Sequence, residues 1–120
     1  PNWQQMSLNC DKYQELATFI DELRTHITAD KLNTSQLRLN FTHLQTFFLQ
    51  QIVPLVDENS QQLSYKTEIS KQLRLLEVDI MFLQGAKHST TLQARLKNIE
   101  ERIDTLIRYC QAIIQPLADK

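Results

Sequence analysis

The chain has 120 residues, of which 42% are hydrophobic and 22% charged, and its formal net charge at pH 7 is −1. This length fits one domain with a sizeable core, and this composition excludes a disordered or strongly charged chain. Non-specific nucleic-acid binding needs a basic field, so the near-neutral balance argues against it. One Gly and three Pro are too few for strands joined by tight turns. The composition therefore predicts an all-α protein.

Apolar residues near the start of the chain recur at steps of three and four, the spacing of one helix face. This first stripe consists of Tyr13, Leu16, Ile20, Leu23 and Ile27. It predicts a helix over approximately residues 4–31.

A second helix is predicted over approximately residues 35–56. Its N-cap candidates are Asn33, Thr34 and Ser35, whose side chains can accept from unpaired backbone N–H groups. Its core stripe consists of Leu37, Phe41, Leu44, Phe48, Ile52 and Leu55. Pro54 removes a backbone donor and clashes with the carbonyl four residues back, so we expect a kink or a stop there.

Two further stripes predict helices over approximately residues 61–85 and 90–118. The third stripe consists of Tyr65, Ile69, Leu73, Leu76, Ile80 and Leu83. The fourth consists of Leu92, Leu96, Ile99, Ile103, Leu106, Cys110, Ile113 and Leu117. Gly85 lies where the end of a helix favours a left-handed residue, and Thr90 with Gln93 has the spacing of a capping box.

Short turns join the four predicted helices. Such turns force neighbouring helices to run antiparallel, and the stripe spacing favours shallow crossing angles. The sequence therefore predicts one domain over residues 1–120, folded as an antiparallel up-down-up-down four-helix bundle. A three-helix alternative would continue helix two beyond Pro54. The polar segment "DENSQQ" argues against it because it carries no apolar stripe.

Motifs for catalysis and metal binding are absent from the sequence. No Glu-x-x-His pair of the di-metal bundles occurs, and a single Gly cannot build a phosphate-binding loop. The three histidines, His26, His43 and His88, have no readable convergent partners, so we expect ordinary surface or rim positions for them. The sequence predicts a protein that is not an enzyme and uses no metal or cofactor.

The two cysteines, Cys10 and Cys110, are too few for a disulfide scaffold and suit a reducing cytosol, so a cytoplasmic location is expected. In the predicted bundle the start of helix one and the end of helix four share one end. We therefore expect the cysteines to face each other at similar height. Two interpretations stay open, a pair of buried apolar side chains or a redox-sensitive thiol pair.

Helix two contains eighteen consecutive positions, residues 39–56, without Asp, Glu, Lys or Arg. Interspersed Gln, Thr and His exclude a membrane span, which needs about 20 mostly apolar residues. Beside the core stripes, helices two and three carry second apolar lines. These consist of Leu49, Val53, Val56, Leu75, Val78 and Phe82.

Two explanations fit the second apolar lines. They widen the buried face of each helix, or they form a surface patch for a protein partner or for a second copy in a homodimer. Basic residues such as Lys71 and Arg74 alternate with Glu68 and Glu77, which indicates a solvated face rather than a nucleic-acid site. A third possibility is a ligand pocket lined by the aromatic cluster of Phe41, Phe47 and Phe48.

Two segments, "NWQQMSLNCDKYQELATFIDEL" and "QLRLLEVDIMFLQGA", resemble the PatD family, small proteins that control heterocyst frequency in filamentous cyanobacteria. The resemblance is one of overall sequence character over the whole chain, and it includes no diagnostic motif. It implies a cytoplasmic, non-enzymatic regulator of cell differentiation that modulates the assembly of FtsZ, the tubulin-like division GTPase. The alternative is a structural helical subunit that associates with itself.

Overall fold

A computed structural model of the chain describes residues 3–27 and 32–115. Its four α-helices are α1 (Trp3–Glu22), α2 (Thr34–Phe47), α3 (Ser60–Gly85) and α4 (Ser89–Ile114). A 3₁₀ turn, Leu23–His26, follows α1, and a π-helical segment, Phe48–Ile52, follows α2. The described residues contain no strand. The predicted all-α class is confirmed.

Each helix packs against two neighbours, so the four helices form a closed square in cross-section. The contacts of α4 with α1 and α3 are the most extensive, and α2 packs against α1 and α3. Helices α1 and α4 run antiparallel, since Cys10 lies beside Ile114 while Arg24 contacts Asp104. Helices α2 and α3 also run antiparallel, since Arg38 near the start of α2 contacts Gln84 near the end of α3. This is the predicted up-down-up-down bundle.

The four core stripes meet along the bundle axis in one continuous cluster. Each stripe places five buried apolar side chains in it, such as Leu16 in the first and Ile103 in the fourth, both fully buried. Side chains at the ends of the stripes, such as Tyr65 and Ile113, are only partly buried. Burial of a large apolar side chain contributes about 1.5–3 kcal/mol, so the stripes supply most of the driving force for folding.

The helix ends differ in places from the predicted bounds. The α-helix of the first stripe gives way to the 3₁₀ turn at Leu23, and its predicted continuation over residues 28–31 lies outside the described residues. The same holds for residues 116–118 of the fourth helix. Asn33 caps α2, because its Oδ1 accepts from the backbone N–H of Gln36 at 3.0 Å.

Pro54 ends the second helix. The backbone N–H of Val53 donates to the carbonyl of Phe48, five residues back, at 3.0 Å, which widens the turn before the proline. A proline ring clashes with the carbonyl four residues earlier in a regular α-helix, and the wider turn avoids that clash. The chain then turns, and Asn59 caps α3 by accepting from the N–H of Gln62 at 2.8 Å.

Two predictions about helix ends are wrong. Helix α3 ends at Gly85, but no glycine has a positive φ, and the next residue, Ala86, is extended at φ −77° and ψ 118°. The turn therefore does not use the conformational freedom of glycine. Helix α4 begins at Ser89 with His88 at the N-cap, without a side-chain cap, so Thr90 lies inside the first turn and forms no capping box.

The replacement Gly85→Ala should stabilise the protein by about 0.4–1 kcal/mol, because alanine loses less backbone entropy in a helix. A Cβ at this position would meet nothing within 4 Å, and the backbone needs no positive φ. Urea unfolding followed by circular dichroism measures the effect as a higher midpoint with an unchanged slope. A lower midpoint would show that glycine is needed at the end of α3.

Candidate functional site

The second apolar lines of α2 and α3 lie at the surface of the bundle. Their six side chains are each between 39% and 65% exposed. They are Leu49, Val53, Val56, Leu75, Val78 and Phe82. The explanation that these residues widen a buried face is therefore wrong. Their role in binding a partner stays a prediction.

The six side chains form two groups along the α2–α3 hairpin. The first lies at the end of the second helix, and the second lies along the C-terminal half of α3. Because the two helices run antiparallel, the first group lies beside the N-terminal half of α3, where Lys66 contacts the carbonyl of Val53, and the second lies nearer the C-terminal end of α3. The two apolar groups therefore succeed each other along the hairpin, with Lys71 and Arg74 between them.

A groove of about 330 Å³ lies at this junction between the second helix and α3. Its wall on the side of the second helix is apolar and consists of Phe48, in the π-helical segment after α2, and Val53. Its α3 wall is polar and consists of Lys66, Thr67, Ser70, Lys71 and Arg74. These seven residues are called the α2–α3 groove below.

A buried ammonium group fixes the turn that carries Val53 and Val56. Lys66, only 9% exposed, donates from Nζ to the carbonyl oxygens of Val53 at 3.2 Å and Leu55 at 3.0 Å. The same nitrogen lies 3.0 Å from Oδ1 of Asp57. Carbonyls at the end of a helix have no partner within it, and a cation satisfies them well. Lys66 thus closes the second helix from the side of α3.

A second polar contact holds the same turn from the side of α1. Asn9, buried in the bundle, donates from Nδ2 to the carbonyl of Val56 at 2.8 Å and to Oε1 of Gln62 at 3.1 Å. Its Oδ1 accepts from Gln5 at 2.8 Å. Gln62 Oε1 also accepts from the backbone N–H of Glu58 at 2.7 Å. The backbone of Val56 is therefore fixed while its side chain faces solvent.

The α3 part of the surface is built differently. The guanidinium carbon of Arg95, on α4, lies 4.7 Å from the centroid of the Phe82 ring, which is a cation–π contact. The ring nevertheless remains about half exposed, and the neighbouring Met81 is more exposed still. Arg95 therefore orients Phe82 without covering it.

Sequence reasoning missed part of this surface. Leu63 is half exposed on α3. Lys71 and Arg74 line the groove, although their alternation with acidic residues predicts only a solvated face. A signal for the groove wall is present in the sequence, because Thr67, Ser70 and Arg74 follow Leu63 at steps of four, three and four. That spacing places these residues on one side of α3.

The predicted thiol pair lies elsewhere, at the contact between α1 and α4. Cys10 is half-buried, Cys110 is buried, and both are free. The Sγ atom of Cys10 lies 4.0 Å from the carbonyl of Ile114, four residues beyond Cys110. The two cysteines are thus about one helical turn, roughly 5–6 Å, apart in height. Burial raises the pKa of the Cys110 thiol to about 12.

The aromatic residues considered for a ligand pocket contribute to packing. Phe41 and Phe48 are buried in the core cluster. The ring of Phe47 lies 5.0 Å from the ring of Phe19 on α1, centroid to centroid. This contact fills the space between α1 and α2.

Among residues 3–27 and 32–115, no group of three His, Cys, Asp or Glu side chains is placed to hold a metal ion. Within the same ranges, no helix has the length and apolarity needed to cross a membrane.

The replacement Lys66→Met should lower the free energy of unfolding by about 2–4 kcal/mol, because it leaves two carbonyls and a carboxylate without their cation. The matched control is Lys71→Met on the same helix. The Lys71 ammonium is exposed and pairs with Glu68 at 3.3 Å, so its loss should cost less than about 1 kcal/mol. Urea unfolding of both variants gives the comparison. Equal effects would contradict the structural role of Lys66.

Alkylation of the native protein with iodoacetamide near pH 8 should modify Cys10 and leave Cys110 unmodified. The thiolate is the reactive form, and a buried thiol with a pKa of about 12 supplies almost none at that pH. Mass spectrometry of the digested protein locates the label, and a denatured sample, labelled at both positions, serves as the control. A Cys10–Cys110 disulfide in non-reduced protein would support the redox interpretation instead.

Comparisons with known proteins give one family. No curated protein and no solved structure matches the chain. The CRR41 C-terminal domain matches residues 28–111, which is more than two-thirds of the chain. The match includes all of α2 and α3, the groove between them, and most of α4. The chain therefore belongs to the CRR41 C-terminal domain family.

Proposed function

We propose that this protein is a non-enzymatic regulatory module that binds another protein through the exposed apolar side of its α2–α3 hairpin. The observation that carries the proposal is the exposure of six large apolar side chains on two adjacent helices whose core stripes are already buried. Exposed apolar patches of this kind usually mark sites of protein–protein interaction. Each such side chain gains free energy when a partner removes it from water.

The absence of charged side chains from residues 39–56 of the second helix supports the same proposal. Covering a charged side chain without a partner costs free energy, because the charge loses its hydration. Residues 39–56 have no side chain with this cost. A partner can therefore cover the outer side of this helix, where the uncharged side chains of Gln50 and Gln51 lie in the sequence between Leu49 and Val53.

The turn carrying Val53 and Val56 supports a preformed site. Lys66 and Asn9 hold the backbone of this turn by hydrogen bonds to three carbonyl groups. A surface that is rigid before binding loses less conformational entropy when a partner docks. The proposed surface therefore needs little rearrangement on its α2 side.

The resemblance to the PatD family supports FtsZ as the partner to be tested, in the cytoplasm of a filamentous cyanobacterium. A small protein that binds one subunit face of a polymer blocks or bridges the next subunit contact. It changes assembly only if it binds one state of FtsZ more tightly than the other. Self-association through the same apolar surface is the second candidate function, since two such patches can bury each other.

The replacements Val53→Asp and Phe82→Asp should each weaken binding to purified FtsZ by at least about tenfold, or about 1.4 kcal/mol, because they place a charge within the covered surface. Both side chains are about half exposed, so each variant should keep the helical circular dichroism spectrum. The matched control is Ala94→Asp, an exposed apolar residue on the outer side of α4. It adds the same charge outside the proposed surface.

Binding is measured by co-sedimentation with FtsZ filaments, and self-association by light scattering of the dilute protein. A dimer that only Val53→Asp or Phe82→Asp dissociates would establish the second candidate function. Unfolding of both variants would show that these side chains belong to the core. Equal binding by all three variants would exclude the α2–α3 hairpin as the docking surface.

A further inference from the structure

We propose that the α2–α3 groove accepts an acidic amphipathic helix of the partner. One apolar side chain of that helix packs on Val53, above the buried Phe48, and a neighbouring carboxylate pairs with Arg74 and Lys71. This inference rests on the proposed function and adds the chemical class of the partner.

The ionisable side chains that line the groove are all positively charged. The chain as a whole has a net charge of −1, yet every ionisable residue that lines the groove is a cation. These cations are Lys66, Lys71 and Arg74. Since opposite charges orient partners and suppress wrong ones, a cationic groove on a near-neutral protein selects an acidic segment.

Two of the three groove cations, Lys71 and Arg74, are available to bind a partner. Lys66 points its ammonium inward to Asp57 and two carbonyls, so it is not free for a partner. Lys71 contacts Glu68 at 3.3 Å in an exposed pair, which is weak and exchanges easily with another carboxylate. The exposed guanidinium of Arg74, by contrast, forms no hydrogen bond or ion pair with the residues that the structure describes. Its guanidinium can bind an incoming carboxylate through two parallel hydrogen bonds.

The opposite wall of the groove explains why the partner is amphipathic. Val53, about half exposed, provides the apolar contact surface of the groove, and the buried Phe48 closes the groove beneath it. Residues 39–56 contain no acidic side chain, so this wall has no carboxylate to repel an acidic segment or to neutralise Arg74. One side of the groove therefore favours an apolar side chain, and the other a carboxylate.

The size and setting of the groove favour a helix over other occupants. A volume of about 330 Å³ is at the lower limit of small-molecule sites, and it suits one or two side chains of a docked segment. Helices that dock in grooves use apolar anchors at positions i, i+3, i+4 and i+7. Two available cations among apolar side chains are too few for a nucleic-acid backbone, which needs a row of phosphate contacts.

A designed peptide tests the inference with the full chain. The probe is a fluorescent helical peptide of about 18 residues, or five turns, with Leu at i, i+3, i+4 and i+7 and Glu beside them. A second peptide has Gln in place of every Glu. Fluorescence anisotropy should give at least about tenfold tighter binding for the Glu peptide in low salt, and the difference should shrink near 1 M salt, where the screening length is about 3 Å.

Charge-reversal variants identify the groove as the binding site. The double variant Lys71→Glu with Arg74→Glu should lose the preference for the Glu peptide. The control is Lys97→Glu with Arg108→Glu, two exposed residues on the outer side of α4 that change the net charge equally. The control should keep the preference, because it alters the overall field and not the groove.

The outcomes separate this inference from the proposed function. If Val53→Asp abolishes peptide binding while the Lys71 and Arg74 variant retains it, the apolar surface stands and the acidic partner is wrong. Equal binding of Glu and Gln peptides, or no binding of either, also overturns the inference, whatever FtsZ or self-association shows. Preferential binding of an RNA oligonucleotide through Lys71 and Arg74 would assign the groove to nucleic acid instead. A matching loss in the α4 control would show a non-specific effect of net charge.

Discussion

The arrangement of this surface depends on the ammonium group of Lys66. Pro54 stops the second helix, and every helix that ends leaves carbonyl groups without a partner. Lys66 reaches from α3 to two of these carbonyls and to Asp57, so one buried cation closes the helix and joins it to the next one. Asn9 fixes the same turn from α1. Because three helices converge on this turn, Val53 and Val56 are held at the surface rather than collapsing onto the core.

The bundle is held together without this surface. Each helix has a complete core stripe, so the fold does not need the second apolar lines for its stability. The same helices leave those lines exposed beside a segment of eighteen uncharged residues. A surface with these properties is costly to leave in water and easy for a partner to cover. The groove also sets the orientation of a bound partner, since its apolar wall and its cationic wall come from different helices.

Periodicity predicted the core well, because helix spacing by itself decides which side chains share a face. Tyr13, Leu44 and Ile99 were all expected inside and are fully buried. Local chemistry at the helix ends was harder to predict. Gly85 ends its helix without the left-handed conformation, and α4 already begins at Ser89, so Thr90 lies inside the first turn and not at the N-cap. The axial register of α1 on α4 is also set by packing between helices, and it brings the Sγ atom of Cys10 beside the carbonyl of Ile114.

The sequence by itself determined the helices, their core faces, their antiparallel order and the uncharged segment of the second helix. The helices, their core faces and the uncharged segment follow from spacing or composition within a single element, and the antiparallel order follows from the short turns between elements. Only the tertiary structure decided whether Leu49, Val53 and Phe82 are buried or exposed, because a second apolar line fits both a wide core contact and a surface patch. The role of each cation was also decided there. Lys66 and Arg74 look equivalent along the chain, yet a difference of eight residues on α3 places one against the carbonyls of Val53 and Leu55 and leaves the other at the groove wall.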